Sequence, residues 1–400
     1  MNMKERPMLS DYVCPNCGNK GISIFYEVKN IPLNSCLLLS TQYQALTFPR
    51  GDVTLGFCET CGFISNIAFD PSKVDYSPVY EDQQCFSSKF NTFAQKLATH
   101  IVEKYDLHNK KIIEIGCGKG DFLASLCDIG QNKGIGIDPA YIDGRIQNAA
   151  SEQLTFIRDF YSERYASYKG DLICCRHTLE HIPNTAEFVN IVRRSISDCL
   201  DTAVLFEVPD AARVLDELAF WDIYYEHCSY FSPGSLARLF RLCNFSITDL
   251  YREFDDQYLI IEAKPVTHRS RKKSILEEGV EELAEEVKYF SVHVKDKLTR
   301  WKSRLQKLET DKKRVAIWGS GSKCVAFMAT LNVKDEIDCV IDINPYRQGK
   351  FLPGSGKQIM PPKFLKKLKP EITIVINPAY TNEIQQMLET MEVTTQIISV

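Results

Sequence analysis

The chain has 400 residues, more than one hydrophobic core usually serves, so its length predicts roughly two or three domains. Its 48 Lys and Arg against 52 Asp and Glu leave a formal net charge of -4, which gives no field that would attract a nucleic-acid backbone. No apolar run is long enough to span a membrane, and the first residues lack the apolar region of a signal peptide. We therefore expect a cytoplasmic protein that binds neither nucleic acid nor a membrane.

The 15 cysteines, in a chain expected to stay in a reducing compartment, predict free thiols or a metal site rather than disulfides. Four of them form two Cys-x-x-Cys pairs, each followed directly by glycine: Cys14 and Cys17, Cys58 and Cys61. Four thiolates suit one tetrahedral zinc ion, and the glycine allows a turn that directs backbone N–H groups at the sulfurs. Because four cysteines close the coordination sphere, we predict one structural zinc in a module over residues 1–75. The alternative is four unconnected thiols.

Short β-type runs alternate with helical patterns from residue 109 to about residue 264. The runs are KIIEIG, GIGID, TFIRD, DLICCRH, AVLFEVPD and YLIIEAK. This alternation predicts an α/β fold with a doubly wound, parallel, Rossmann-like sheet, which we assign to a domain over residues 76–267. The domain begins with a Tyr- and Ser-rich stretch that follows the cysteine module.

A glycine-rich turn, Gly116-Cys-Gly118-Lys-Gly120-Asp, joins the first of these strands to an amphipathic helix. Glycines at such a turn let the backbone approach a ligand without a Cβ in the way. The second strand ends in Asp138, which is placed to accept hydrogen bonds from a ribose diol. Strand, turn, helix and acid together predict a nucleoside pocket.

Two cofactors bind at turns of this kind, NAD and S-adenosylmethionine (SAM). Dinucleotide turns space their glycines G-x-G-x-x-G to admit a pyrophosphate, whereas here the spacing is G-x-G-x-G with Glu114 just before it. An acid beside the turn suits a cationic sulfonium better than a diphosphate, so we predict SAM, with NAD or glycines needed only for packing as alternatives. Further residues are predicted to lie near the cofactor: Asp159 and Phe160 after the third strand, and His177 after the fourth.

Two segments concentrate titratable and aromatic side chains: His177, Glu180 and His181 after the fourth strand, and Tyr224, Glu226 and His227 further along. The carboxyl ends of strands line the ligand crevice in doubly wound folds, so we expect the first segment to lie there. Histidine exchanges its proton most easily near neutral pH, which makes His227 and His181 candidate acid–base groups. Tyr80 is a candidate phenol. The alternatives are a structural role for His227, helix capping for His181 and simple packing for Tyr80.

Residues 268–312 are charge-dense and carry apolar residues at near-heptad spacing, which predicts a helical linker. Such a seam more often packs on neighbouring domains than forms a coiled-coil dimer, so we interpret it as an interdomain brace. The oligomeric state is predicted as monomer or homodimer. Strand ends followed by turns then predict a second, smaller Rossmann-like domain over residues 313–400.

The order of these features resembles that of the zinc-containing sugar C-methyltransferases, which act on nucleotide-linked 4-keto deoxysugars. The likeness runs nearly end to end: the paired Cys-x-x-Cys module, Glu-Ile-Gly-Cys-Gly-Lys-Gly, Leu-Glu-His-Ile, Phe-Glu-Val-Pro-Asp, residues 224–232 and the C-terminal domain. Two positions depart from the family pattern. Tyr225 stands where the family has His, and the C-terminal glycine turn reads Trp-Gly-Ser-Gly-Ser-Lys instead of Tyr-Gly-Ala-Pro-Ala-Lys-Gly.

The resemblance implies that a Tyr-x-Glu-His motif, here Tyr224, Glu226 and His227, carries catalysis, with His181 opposite. It implies that His227 removes a proton from the carbon beside the ketone, while Glu226 orients the imidazole. A phenol or histidine, from Tyr224, Tyr80 or His181, is then expected to donate to the enolate oxygen. The resemblance also implies a nucleotide-linked sugar as the small-molecule substrate, held partly by the C-terminal domain at Gly319, Ser320, Gly321, Lys323, Asp342, Lys350 and Asn377.

Three other functions fit part of this pattern. An O- or N-methyltransferase would use the same histidine to deprotonate a hydroxyl or an amine. A non-catalytic SAM- and zinc-binding protein would use the module and the C-terminal turn to recognise a partner. An NAD-dependent oxidoreductase would use the glycine turn for a dinucleotide.

Overall fold

The computed structural model describes residues 8–146, 152–268 and 273–400. The strands are β1 (Met8–Val13), β2 (Lys20–Pro32), β3 (Arg50–Phe57), β4 (Ile64–Asn66), β5 (Lys111–Ile115), β6 (Lys133–Ile137), β7 (Leu154–Ile157), β8 (Leu172–Arg176), β9 (Ala203–Pro209), β10 (Ser229–Tyr230), β11 (Phe245–Glu253), β12 (Tyr258–Pro265), β13 (Val315–Trp318), β14 (Cys339–Ile341), β15 (Ile359–Met360), β16 (Ile372–Val375) and β17 (Gln396–Ser399). The helices are α1 (Gln42–Leu46), α2 (Ser88–Lys104), α3 (Asp121–Gly130), α4 (Thr185–Ile196), α5 (Ala211–Asp216), α6 (Pro233–Leu242), α7 (Val280–Thr310), α8 (Ser322–Leu331), α9 (Leu365–Leu368) and α10 (Thr381–Thr390).

The N-terminal sheet is antiparallel, with the strand order β1-β2-β3-β4-β10. Its last strand comes from the middle of the chain: Ser229 pairs with Ser65 and Tyr230 with Ile64. Because β10 begins two residues after His227, this pairing anchors the candidate catalytic segment to the cysteine-containing region.

The central sheet has the order β11-β12-β9-β8-β5-β6-β7. Strands β5 to β9 are parallel, and β12 lies antiparallel between β9 and β11. Apolar residues of α2 and α3 pack on one side of the sheet, and those of α4 and α6 belong to a second cluster with Cys14, Cys58 and Cys61. The doubly wound α/β prediction is therefore confirmed, with one departure: the strand YLIIEAK runs antiparallel.

Helix α7 contains 31 residues, a length of about 46 Å at 1.5 Å per residue. Its apolar side is buried in a cluster shared with the N-terminal sheet, residues 211–230 and the C-terminal region. Phe290 meets the ring of Tyr26 in β2 at 5.4 Å, and Trp301 meets that of Phe327 in α8 at 5.2 Å. Contacts to both regions fit the interpretation of the helix as a brace within one chain.

The C-terminal sheet is parallel, with the order β15-β14-β13-β16-β17. Its strand ends face the central sheet across a cavity of about 1250 Å³. This cavity is lined by the glycine turn after β5, the ends of β6 and β8, residues 76–91 and the turn after β13. In the described part of the chain, no helix combines the length and the apolar character needed to cross a bilayer.

Candidate active site

The four cysteines of the N-terminal region converge. The Sγ atoms of Cys14 and Cys61 lie 3.7 Å apart, as do those of Cys17 and Cys58, and all four lie within 4.8 Å of one another. Tetrahedral sulfurs around zinc, at a Zn–S distance of about 2.3 Å, would be about 3.8 Å apart. The thiol geometry therefore fits a four-cysteine zinc site.

Each Cys-x-x-Cys pair is closed by a glycine in the left-handed region, Gly18 at φ 76° and Gly62 at φ 72°. The glycine N–H groups donate to the carbonyls of Cys14 and Cys58, both at 2.8 Å. A residue with a Cβ is strained at these angles, which explains the glycine after each pair.

Asparagine side chains support the cluster. Asn19 donates to the sulfur of Cys17 at 3.4 Å, and Asn16 donates to that of Cys61 at 3.8 Å. Asn16 also donates to the Ser235 carbonyl in α6 at 3.4 Å. These bonds stabilise thiolates and dock the module onto the central region.

In the glycine turn, Gly116 and Gly120 permit close packing, since a Cβ would lie 1.8 Å from Thr178 Oγ1 and 2.5 Å from the Phe156 ring, respectively. A Cβ on Gly118 would meet no atom within 4 Å. Gly118 thus leaves an open cradle on the cavity wall, which a bound cofactor can fill.

Glu114 is the last residue but one of β5 and is only 2% exposed. Its Oε2 has no hydrogen-bond partner among the described residues. Burial raises the pKa of Glu114 to about 8, although Arg176 acts to lower it. A buried carboxyl oxygen that lacks a hydrogen-bond partner at the wall of a cavity favours a cationic ligand. SAM carries two cationic groups, a sulfonium and an ammonium. The residues present therefore fit SAM better than a diphosphate.

Asp138 accepts from the Gly118 N–H at 2.8 Å and from the Ala140 N–H at 2.6 Å. Burial raises the pKa of Asp138 to about 6. Each carboxylate oxygen retains a lone pair for a ribose hydroxyl.

Phe160 and Asp159, both predicted to lie near the cofactor, differ in their surroundings. Phe160 is 60% exposed and lies on the cavity wall. Asp159 instead pairs with Arg164 at 3.0 Å, accepts from its neighbour's N–H at 2.8 Å and accepts from the Tyr165 hydroxyl.

His177 lies on the cavity wall between two carboxylates, 2.7 Å from Glu207 and 3.6 Å from Glu180. Glu207 also accepts from the Arg176 guanidinium at 2.6 Å. Burial acts to lower the pKa of His177, but the two carboxylates outweigh it and raise the value to about 9. His177 is therefore a charged group within an ion-pair network, which makes it unsuited to act as a base.

His227 is 6% exposed, and its ring centroid lies 4.0 Å from that of Tyr224 and 4.8 Å from that of His181. Burial, together with the nearby charges of His181 and Lys323, lowers the pKa of His227 well below its usual range. The imidazole is therefore neutral at pH 7 and keeps a lone pair that can accept a proton.

His181 forms two contacts through Nδ1, with the Tyr76 hydroxyl at 2.9 Å and the Glu226 carbonyl at 3.0 Å. A carbonyl oxygen can only accept, so the second contact places a proton on Nδ1, and in the neutral ring the lone pair then lies on Nε2. Tyr76 was not among the predicted site residues; the aromatic stretch from residue 76 was the one signal in the sequence.

The Glu226 carboxylate is buried, and burial raises its pKa while His181 acts to lower it. It accepts from Asn34 Nδ2 at 3.0 Å, from the Ser35 N–H at 3.3 Å and from Ser322 Oγ at 3.4 Å. Its hydrogen-bond partners are therefore groups from the N-terminal region and α8, rather than the His227 ring that it was expected to orient.

Tyr80 is buried on the cavity wall, with its ring centroid 5.4 Å from that of Tyr76. Its carbonyl accepts from the buried Lys119 ammonium at 2.9 Å, and Lys119 also donates to the Ala140 carbonyl. Burial lowers the pKa of Lys119. The glycine turn that contains Lys119 is thereby tied to the segment that carries both tyrosines.

Glu81 extends this connection to the C-terminal region. Its side chain pairs with Arg145 at 2.9 Å and accepts from Asn344 Nδ2 at 3.0 Å, and its carbonyl accepts from Arg347. These contacting residues were not singled out from the sequence, where a lone Glu or Arg carries no local signal.

The turn after β13 repeats the arrangement of the first glycine turn. Gly319 adopts φ 101°, and the Ser320 N–H donates to Asp342, at the end of the neighbouring strand, at 2.8 Å. Asp342 also accepts from the Asn344 N–H at 2.8 Å. A second glycine turn of this form therefore lines the cavity.

Among the residues predicted to bind substrate, Lys323 pairs with Asp222. Asn377 accepts from Gln257 at 2.8 Å. The predicted site residues on the cavity wall are Tyr80, Glu114, Gly116, Gly118, Asp138, Phe160, His177, His181, Tyr224, His227, Gly319, Gly321, Lys323, Asp342 and Asn377. Lys350 lies apart from them and donates to Ser40 Oγ at 3.2 Å.

Comparisons with known proteins give two domain matches and one relative. Residues 87–250 match a methyltransferase domain, and residues 264–399 match a C-methyltransferase C-terminal domain. The C-methyltransferase NovU of Streptomyces niveus is 27% identical over 310 residues, which cover 72% of each chain.

Similar solved structures include two methyltransferases with bound S-adenosylhomocysteine. The 1,6-didemethyltoxoflavin-N1-methyltransferase of Burkholderia thailandensis is 15% identical, with 45% of this chain and 81% of that chain covered and a TM-score of 0.33. The magnesium protoporphyrin IX methyltransferase of Synechocystis is 18% identical, with coverages of 47% and 90% and a TM-score of 0.35. The two domain matches and the NovU relative, aligned over 72% of this chain, support a SAM-dependent C-methyltransferase.

Proposed function

We propose that this C-methyltransferase removes a proton from the carbon beside the ketone of a nucleotide-linked 4-keto deoxysugar and methylates that carbon. The observation that carries the proposal is His227, a neutral, buried imidazole on the wall of a cavity shared by two glycine turns. One turn suits the cofactor, and the other suits a second nucleotide-bearing ligand.

His227 is the proposed base. Carbon becomes nucleophilic when a neighbouring ketone accepts the charge left by the departing proton, and a positioned base contributes roughly 10²- to 10⁴-fold to such a step. The low pKa of His227 keeps the accepting form fully populated at neutral pH. Support for the base also comes from its contact with Tyr224, whose ring centroid lies 4.0 Å from that of His227 with the two rings tilted by 43°.

The developing enolate oxygen needs a hydrogen-bond donor. Tyr76, Tyr80, Tyr224 and His181 all line the cavity near His227. Burial raises the pKa of each tyrosine, so each hydroxyl keeps its proton and can donate. Tyr76 is a strong candidate, because its oxygen already lies 2.9 Å from His181 Nδ1.

SAM, when bound, supplies an electrophilic methyl group. Gly118 provides the open cradle, Asp138 offers carboxylate oxygens to the ribose, and the unpartnered Oε2 of Glu114 offers an oxygen to the cationic part of the cofactor. Phe160 and His177, which also line the cavity, are proposed to contribute to the cofactor site. These groups orient the cofactor relative to the base, which is a proximity effect.

The nucleotide-linked sugar is proposed to lie between the central and C-terminal regions. Support comes from the turn Gly319 to Gly321, from Asn377 and from Lys323, all on the cavity wall. Residues 1–75 are proposed as a zinc module in which Cys14, Cys17, Cys58 and Cys61 hold one structural ion.

The proposal is tested by hydrogen exchange in heavy water with a panel of nucleotide-linked 4-keto sugars. We expect deuterium uptake at one carbon without SAM and a mass gain of one methyl group with SAM. The His227→Gln variant should lose both while it still binds S-adenosylhomocysteine; His108→Gln, at an exposed loop position, is the matched control. Failure of every panel member to exchange, despite cofactor binding, would remove the 4-keto sugar from the proposal.

A further inference from the structure

A second group of metal-ligating side chains lies inside the catalytic cavity, apart from the four cysteines. Glu180, His181 and His227 each present one ligand atom, and these atoms lie within 4.8 Å of one another. All three residues line the cavity, so a small ion can reach them.

Glu180 provides the independent sign of a ligand. It is 2% exposed, and its Oε1 lies 3.6 Å from His177 Nδ1. Its Oε2 has no hydrogen-bond partner among the described residues. An unpartnered oxygen on a buried carboxylate is costly, and a cation would relieve that cost.

His181 has the outer contact that metal-binding histidines usually make. Its Nδ1 lies 3.0 Å from the Glu226 backbone carbonyl, which assigns the proton to Nδ1 and the free lone pair to Nε2. A ring fixed in this tautomer is ready to coordinate through its other nitrogen.

We propose that Glu180, His181 and His227 form a binding site for a divalent transition metal of the zinc class. Two imidazoles and one carboxylate are a preferred set for such ions, and three protein ligands leave a position open to the cavity. Ligand atoms around zinc, at about 2.0–2.2 Å, lie about 3.4 Å apart, so side-chain rotations that bring them closer by up to about 1.4 Å complete the site.

The site has a regulatory consequence that rests on the proposed function. A metal bound to His227 takes up the lone pair that the base needs, so metal and proton compete for one nitrogen. Occupation of the site therefore inhibits the enzyme, and chelation of the weakly held ion restores it. The four-cysteine zinc is held by a closed set of thiolates and is kept during mild chelation.

The binding arm of the test needs no substrate. Purified protein that retains its structural zinc is titrated with Co²⁺, and the second equivalent is followed by absorbance and metal analysis. We expect d–d bands without the sulfur-to-cobalt charge transfer that a cysteine site gives. Glu180→Gln and His181→Gln should each weaken this binding by at least about 100-fold, whereas His108→Gln should leave it unchanged. No second equivalent in the wild type, or unaltered binding in both variants, would overturn the site.

The functional arm measures deuterium exchange on the sugar with and without saturating Zn²⁺. We expect the metal to slow exchange by at least about 100-fold, the lower range of a general-base contribution. Metal binding with unchanged exchange would sustain the site and overturn the assignment of His227 as base. Normal exchange without a metal site would sustain the proposed function and overturn the metal site. The two proposals therefore fail separately.

Discussion

Lys119 offers a sharp test of how the cofactor turn and the tyrosine segment are held together. Its buried ammonium donates to the carbonyls of Tyr80, in the tyrosine segment, and of Ala140, which follows β6. Methionine has a similar length and volume but no donor. Lys119→Met therefore removes both hydrogen bonds while it leaves the packing nearly intact.

The magnitude follows from the number of partners. A hydrogen bond to a charged group is worth about 1.5–3 kcal/mol, so two of them contribute roughly 3–6 kcal/mol. Burial of the ammonium, which lowers the pKa of Lys119, offsets part of this gain. We expect a net loss of about 2–4 kcal/mol in the free energy of unfolding, because two buried carbonyls are left without partners.

Urea denaturation measures the stability change, and native-state hydrogen exchange shows where it acts. We expect amides of residues 76–86 to exchange faster and S-adenosylhomocysteine to bind more weakly. Lys111→Met, at an exposed position at the start of β5, is the control. Unfolding free energy and exchange equal to those of the wild type would refute the view that Lys119 ties the two segments together.

Three further predictions concern the four-cysteine site, the cofactor pocket and the proposed donor to the enolate oxygen. Cys58→Ser should release the zinc and destabilise the chain by several kcal/mol, measured by metal analysis and denaturation, whereas the exposed Cys199→Ser should do neither. Because burial raises the pKa of Glu114 to about 8, the folded state binds the extra proton between the unfolded value near 4.5 and about pH 8, so stability falls as pH rises through that window. Glu114→Gln should flatten this fall and weaken SAM binding at pH 9, and an unchanged pH profile would contradict it. Tyr76→Phe should slow exchange about tenfold or more, because the proposed donor to the enolate oxygen is lost, with cofactor affinity retained; an unaltered rate would exclude Tyr76 as donor.

Several features were predictable because their physics is local in the chain. Each Cys-x-x-Cys pair with its glycine forms one turn, and the glycine turn after β5 depends on residues that follow one another. Alternation of strand and helix patterns likewise predicted the doubly wound sheet, which the structure confirms. The antiparallel direction of β12 was missed, since side-chain alternation is the same for both directions of a strand.

Contacts between distant segments were decided only by the tertiary structure. Pairing of β10 with β4 positions His227, and the Glu226 carboxylate turns to Asn34 and Ser35 because those groups fill the space beside it. Tyr76 reaches His181 across a separation of 105 residues, for which no periodic pattern exists. The sequence by itself therefore determined the glycine turn after β5, the two Cys-x-x-Cys turns and the sheet. The packing of separate regions decided which side chains meet in the cavity, since such contacts depend on the whole fold.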